Sequence, residues 1–361
     1  MWRKNKITKR IFACLLLCVF LSGLTACADK EASAQLLAMD TVMSFTAFGA
    51  NSQEAIEVSN ETVRTLENLL SPTRTDSELY HLNQSNGEEM TVTEVVGTLL
   101  ETAVQYDRLT DGAFDCTIAP VSALWGFTSD TQRVPSEFQL AQATALVDSQ
   151  SIAFKKNENS LYTVKLGQGQ AVDLGGIAKG YVSDQIEAIY EELEIESGAV
   201  SLGGNVYVRG TKPDDTLWNV GIQDPNHPNG ETLVGVLELR DAFAVTSGGY
   251  QRYFEQDGAV YHHILNPETG YPAENNLTSV TVIAPANGQT SHLPGHGTMC
   301  DALSTALFVM GEEEALDFWR ESDLEFELVL VTQDGRVLVT AGMGSVFTPL
   351  QEGVYHYETV S

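Results

Sequence analysis

Apolar and polar positions alternate over residues 35–48, the period of a half-buried strand. Behind them Ala55, Ile56, Val63, Leu66, Leu69 and Leu70 recur at helical spacing and predict a helix over 53–70. The same periodicity places helices over 92–109, 136–146 and 181–193, the first of them ended by the turn Thr110-Asp111-Gly112. From Gly198 onward the pattern changes. Residues 200–209, 218–222, 232–239, 260–265 and 277–283 are short apolar or alternating runs divided by Gly, Pro and Asn, and they read as strands. Two more helices, over 300–309 and 312–321, precede a hairpin that turns at Asp334-Gly335. Long strands and segregated helices define an α+β class, with mixed sheets, flanking helices and two lobes around a cleft.

The N-terminus changes the picture of where this domain resides. Arg3, Lys4, Lys6, Lys9 and Arg10 precede an apolar run over 11–21 that is too short to cross a bilayer and has the form of a secretory signal. It closes in Leu24-Thr25-Ala26-Cys27, which resembles the lipobox of bacterial lipoproteins. The organisation expected is a signal peptide over 1–26, a polar tether over 27–34 starting from a lipidated Cys27, and one globular domain over 35–361. Acyl chains on Cys27 would hold the domain on the outer face of a cell membrane. Removal of the signal takes away five basic residues and no acidic ones, so the net charge moves from −29 to −34. Such a surface excludes nucleic-acid binding, which needs a basic footprint. An anionic ligand would need local help from a metal ion, helix termini or a few placed cations. Of the five cysteines only Cys116 and Cys300 lie beyond Cys27, too few for a disulfide scaffold in a chain long enough to bury a full core.

Five segments set polar residues in apolar or glycine-rich surroundings. In 168–184, Asp173 closes an apolar run, Gly175 and Gly176 follow, and Lys179 stands one turn into a helix. A strand-to-helix turn of this kind aims backbone N–H groups and a helix dipole at one point that suits phosphate. In Ala113-Phe114-Asp115 the aspartate either caps a turn or faces a ligand. The run Thr246-Ser247-Gly248-Gly249-Tyr250 ends a strand in hydroxyls and glycines that could form an anion nest. In His262-His263-Ile264 a strand would send the two imidazoles to opposite faces, leaving His263 at the strand end for a site. On a helix, Asp301 and Thr305 lie four apart on one face, so a carboxylate and a hydroxyl could hold one hard cation; the alternative is a capping aspartate with a buried threonine.

These segments, in this order and behind a lipobox, resemble the FAD:protein FMN transferases, the ApbE-like family. The likeness runs from Met39-Asp40-Thr41 through Asp76-Ser77-Glu78-Leu79 and Leu82-Asn83 to the stretch from Asp301 to Gly311. It implies an ApbE-like fold related to the T-fold. It also implies transfer of the FMN half of FAD to a Thr or Ser hydroxyl of an extracytoplasmic acceptor protein, with magnesium as cofactor and AMP released. Met39, Thr73, Ala113, Phe114, Asp115, Asp173, Lys179 and Ile264 would then contact FAD. The Gly176 carbonyl, Asp301 and Thr305 would hold Mg²⁺, and His263 would activate the acceptor hydroxyl. Two activities of other kinds would use the same pocket: hydrolysis of FAD to FMN and AMP, and flavin carriage without bond cleavage. The chain departs from the family at Pro72-Thr73, where many relatives carry a tyrosine, and at Asp40, where glycine is common. Residues 287–299 make a long connection whose His292 and His296 read as parts of a polar loop rather than metal ligands. Cys116 and Cys300 flank residues of the implied pocket, and a disulfide between them is a hypothesis.

Overall fold

A computed structural model describes residues 30–361 apart from 128, 130, 228–231 and 289–292. The signal, the lipobox and Cys27 lie outside the described residues, as does His292. Among the described residues, nine strands form one sheet whose spatial order is the order of the chain. They are β1 Glu31–Ala38, β2 Thr41–Phe48, β3 Ser197–Leu202, β4 Asn205–Arg209, β5 Ala242–Gly248, β6 Leu277–Pro285, β7 Glu327–Thr332, β8 Arg336–Thr340 and β9 His356–Val360. All neighbours run antiparallel except β8 and β9. The expected α+β class holds, and the other elements are insertions between successive strands of this sheet.

Alternation along the strands separates two cores. Phe45, Val200, Tyr207, Phe243, Val245, Val280 and Leu330 face a helical layer, built chiefly by α1 Ser52–Leu70, α2 Ala178–Glu192 and α3 His296–Met310. Val208, Ala244, Ile283, Val329 and Val337 point the other way. There they pack on a three-stranded sheet of Trp218–Gln223, Leu233–Leu239 and Phe347–Pro349. Because both faces are covered, β6 is buried along nearly its whole length and β7 and β8 read as continuous apolar runs instead of alternating ones. A third, smaller cluster gathers Trp125, Phe127, Phe254 and Leu265, and the Trp125 indole donates to the Gly270 carbonyl at 2.8 Å.

Several expectations need correction. The single opening strand over 35–48 is the hairpin β1–β2, joined by Met39-Asp40 with φ 47° and 59°. Both turn residues are left-handed, as a two-residue primed turn requires, but neither is the usual Gly or Asn that announces one. Its first strand begins at Glu31, so the last four residues of the expected tether belong to the sheet. Residues 200–209 likewise fold into the hairpin β3–β4, with Gly203-Gly204 at φ 67° and 96°. The strand expected over 260–265 is Ala259–His262, paired with Tyr253–Gln256. The helix expected from Cys300 starts at His296, shortening the polar connection before it. Cys116 and Cys300 are both buried free thiols, so the hypothetical disulfide is absent.

The strand register explains where a cleft can form. The turns at 39–40 and 203–204 and the C-terminal end of β5 fall at the same end of the sheet, because Met43 pairs with Leu202 and Asn205 with Val245. Helices α2 and α3 arrive at that end too, since Ser247 at the end of β5 bonds Ser304 of α3 and Asp301 of α3 bonds Gly180 of α2.

Candidate active site

At this end of the sheet lies a cavity of about 800 Å³. Every residue singled out from the sequence as a cofactor, metal or proton-transfer candidate lines it: Met39, Thr73, Ala113, Phe114, Asp115, Asp173, Gly176, Lys179, His263, Ile264, Asp301 and Thr305. Six separate stretches of chain contribute, which is why no local pattern could show that they meet.

The segment around Asp173 is not a strand. It is extended chain clamped by side chains: Asn83 accepts from the Val172 N–H at 2.7 Å and donates to the Val172 carbonyl at 2.8 Å, while Asp173 N–H bonds the Cys116 carbonyl at 2.8 Å. Asn83 thus supplies the ladder that a neighbouring strand would have supplied. The turn that follows is not the bare N–H cradle expected for phosphate. Gly175 N–H donates to Asp173 Oδ1 at 2.8 Å, Ile177 and Ala178 N–H to the Leu174 carbonyl, and Gly180 N–H to Asp301 Oδ2 at 2.8 Å. The Lys179 ammonium bonds the Gly175 carbonyl at 3.2 Å. Gly176 is needed for proximity: a Cβ there would stand 3.1 Å from the Phe114 ring and 3.3 Å from Thr305 Oγ1.

Helices α2 and α3 exchange carboxylates. Asp184 of α2 accepts from the Gly297 N–H at 2.7 Å, from the Thr298 N–H at 2.9 Å and from the Thr298 hydroxyl, so it caps α3. Asp301 of α3 reciprocates toward Gly180 at the start of α2, and Gly180 permits the contact, because a Cβ would fall 2.3 Å from the Gly297 carbonyl oxygen. Asp301 is buried at 4 % exposure. Burial pushes its carboxyl above the usual range, opposed by the Lys179 ammonium and the backbone N–H groups of Gly180 and Lys179. Ser247 on β5 bridges to the Ser304 hydroxyl at 2.8 Å and lies 3.4 Å from Thr305 Oγ1.

The donor set fits a hard cation. Asp301 gives a buried carboxylate, Thr305 a hydroxyl, and the adjoining Gly176 backbone a carbonyl, all oxygen ligands of the kind magnesium takes. Among the described residues no group of three or more His, Cys, Asp and Glu side chains gathers to bind a metal. A magnesium ion here would therefore keep several positions for water or phosphate oxygens.

His263 and Asp115 separate clearly in role. The His263 Nδ1 lies 3.2 Å from the Arg252 carbonyl; a carbonyl only accepts, so Nδ1 carries the proton and Nε2 keeps its lone pair. Burial, then the Arg252 guanidinium, His262 and Lys179, lower its pKa to about 3. His262 is turned away against Phe308, with ring centroids 5.5 Å apart. The Asp115 carboxylate is occupied by the Thr117 N–H and hydroxyl and the Ser149 N–H, at 2.6, 2.5 and 3.1 Å. Of the two readings left open for it, the cap is the one its oxygens serve, although it reaches the cavity wall. Residues that sequence reasoning left without a role include Glu67, Ser247 and Arg252. Ser247 stood in a segment already noted for its hydroxyls; Glu67 and Arg252 carried no signal beyond being charged.

Fold and site together describe an α+β enzyme whose cavity brings a buried carboxylate, a hydroxyl and an imidazole together at one end of the main sheet. Residues 39–330 match the ApbE family model, and the chain belongs to the ApbE family. It is 33 % identical to the FAD:protein FMN transferase of Treponema pallidum, over 91 % of this chain and 93 % of that one. With the FAD:protein FMN transferase of Klebsiella pneumoniae it shares 31 % identity over 81 % of this chain and 86 % of the relative. The crystal structure of the ApbE protein from Thermotoga maritima superposes with a TM-score of 0.77 at 31 % identity, covering 88 % of this chain and 99 % of that one. The apo flavinyl transferase ApbE of Pseudomonas stutzeri gives 0.72 at 27 % identity, covering 85 % and 92 %.

Proposed function

We propose that the protein transfers the FMN moiety of FAD to a Thr or Ser hydroxyl of an acceptor protein, releasing AMP, with Mg²⁺ as cofactor. The observation that carries this reading is the meeting, in one cavity, of a neutral imidazole with a bare Nε2 and the buried Asp301–Thr305 pair. A bound Mg²⁺ would neutralise charge on the phosphate oxygens as the acceptor oxygen attacks. Asp301, Thr305 and the Gly176 carbonyl would hold that ion, and Gly180 keeps the Asp301 carboxylate aimed. Lys179 adds a positive charge at the same wall.

His263 would take the acceptor proton at Nε2. Its low pKa keeps the imidazole neutral at any physiological pH, and phosphate charges entering beside Lys179 and Arg252 would offset those cations and restore basicity as substrate binds. Met39 and Phe114 would pack against the rings of FAD, with Thr73 in place of a stacking tyrosine. The lipobox at Cys27 supports an acceptor on the extracytoplasmic face of a membrane, beside the anchored enzyme.

Incubating the purified protein with FAD, MgCl₂ and a threonine-bearing acceptor tests the reading. Mass spectrometry is expected to find FMN linked to the acceptor with AMP in equal amount, and neither product after chelation. FMN released free with AMP, and none on the acceptor, would make the protein a hydrolase; absence of AMP would make it a flavin carrier. His263→Ala is expected to lower transfer about a hundredfold or more while FAD still binds, and wild-type transfer by that variant would place the base elsewhere.

A further inference from the structure

Among the described residues lining the cavity, the two permanent cations are Lys179 and Arg252, in a chain with 20 basic residues against 49 acidic. The N–H groups of Gly175, Ile177, Ala178 and Gly180 are already bonded within the protein, so the glycine turn does not by itself wrap a diphosphate. Arg252 is placed to make up the shortfall. Its backbone carbonyl accepts from both the N–H and the Nδ1 of His263, at 3.1 and 3.2 Å, which ties its position to the reacting end of the cleft. Its guanidinium reaches across the cleft mouth to Asp40 Oδ2 at 3.6 Å.

That pair is loose. The distance exceeds the usual length of a charge-assisted bond, the two side chains are 39 % and 77 % exposed, and exposed ion pairs contribute little. Asp40 stands in a left-handed two-residue turn whose Met39 N–H bonds the Glu67 carboxylate at 2.7 Å. A guanidinium resting on a weak partner beside a cavity is free to exchange that partner for a phosphate, whose oxygens match its planar fork.

Building on the transferase reading, we propose that Arg252 binds the diphosphate of the dinucleotide and that Asp40 is a positioning residue that competes with the substrate for the guanidinium. Arg252 then discriminates phosphorylated flavins from riboflavin, and Asp40 tunes how tightly FAD is held.

Dissociation constants for FAD and riboflavin, measured with Mg²⁺ present at low and high salt, test this. Arg252→Gln leaves the carbonyl that orients His263 in place; it is expected to weaken FAD about tenfold or more, the effect of losing a charged hydrogen-bond pair, with riboflavin unchanged. Asp40→Asn is expected to tighten FAD by roughly two- to fivefold at low salt, less at high salt, and not at all in the Arg252→Gln background. Unchanged FAD affinity in Arg252→Gln, or an equal loss for riboflavin, overturns the assignment. Should Arg252→Gln fail to fold, Asp40→Asn still decides, because wild-type FAD affinity at low salt in that variant overturns the exchange. Failure of the wild-type protein to bind FAD would bring down the transferase reading itself, whereas FAD binding and transfer that ignore Arg252 bring down only this inference.

Discussion

Asp184 and Asp301 occupy mirror-image places: each belongs to one of the paired helices α2 and α3 and bonds the N-terminal turn of the other. Asp184 is saturated by two N–H groups and a hydroxyl of α3 and lies away from the cavity. Asp301 receives backbone donors from α2 and shares its cavity with Thr305, Gly176 and Lys179; burial raises both carboxyls, that of Asp184 to about 7. The difference teaches how to tell a structural carboxylate from a reactive one when both are buried. What matters is whether the protein's own donors exhaust it and whether it borders a cavity that can admit a cation, since a buried carboxylate with an oxygen left over gains from a positive partner.

The sharpest way to break this comparison is to truncate each member. Asp301→Ala is expected to reduce magnesium-dependent transfer about a hundredfold or more, while the stranded Gly180 N–H costs only about 1 kcal/mol of stability. The observation that would sink the distinction is substantial transfer by that variant at saturating Mg²⁺. Asp184→Ala strands donors at the start of α3 and is expected to cost about 2 kcal/mol of stability, read as a lower denaturant midpoint, while the folded fraction keeps most of its turnover. Loss of turnover without loss of stability would mean that Asp184 acts in the chemistry.

A smaller effect sharpens the contrast from the other wall of the cleft. The folded-state pKa of His263 is depressed to about 3 from the ordinary 6.5, so below pH 6.5 the unfolded chain takes up a proton that the folded one refuses. Its contribution to stability is full above pH 6.5 and is lost as pH falls toward 3. His263→Asn is expected to flatten that part of the pH–stability curve; an unchanged slope between pH 6.5 and 4 would show that the imidazole is not shielded as described.

Much of this molecule was legible in one dimension. The helical periods before Leu70 and Leu109 and the apolar runs after Gly198 followed from burial on one face or two, a local consequence of each side chain's affinity for water. Asp301 and Thr305 could be put on one helix face by their spacing alone. The β1–β2 hairpin could not be seen, because Met39 and Asp40 adopt left-handed geometry that their identities do not advertise and that the Glu67 carboxylate helps to hold. The Asp173 segment looked like a strand because its apolar pattern is that of extended chain, yet its partner is the Asn83 side chain, 89 residues distant in sequence from Val172.

The order of polar segments along the chain was enough to suggest a family and a set of residues, since each motif is local and its chemistry is carried by residue type. Their convergence belongs to the tertiary structure. Sheet register brings two hairpin turns and the end of β5 to one place, and the exchange of carboxylates between α2 and α3 fixes the helix starts there. Only that packing decided which carboxylates were consumed by the fold, that the glycine turn had few N–H groups to offer, and that Arg252 and Asp40 meet over the mouth. Hydrogen bonds and ion pairs between distant segments depend on distance in space, and a single sequence records distance only along the chain.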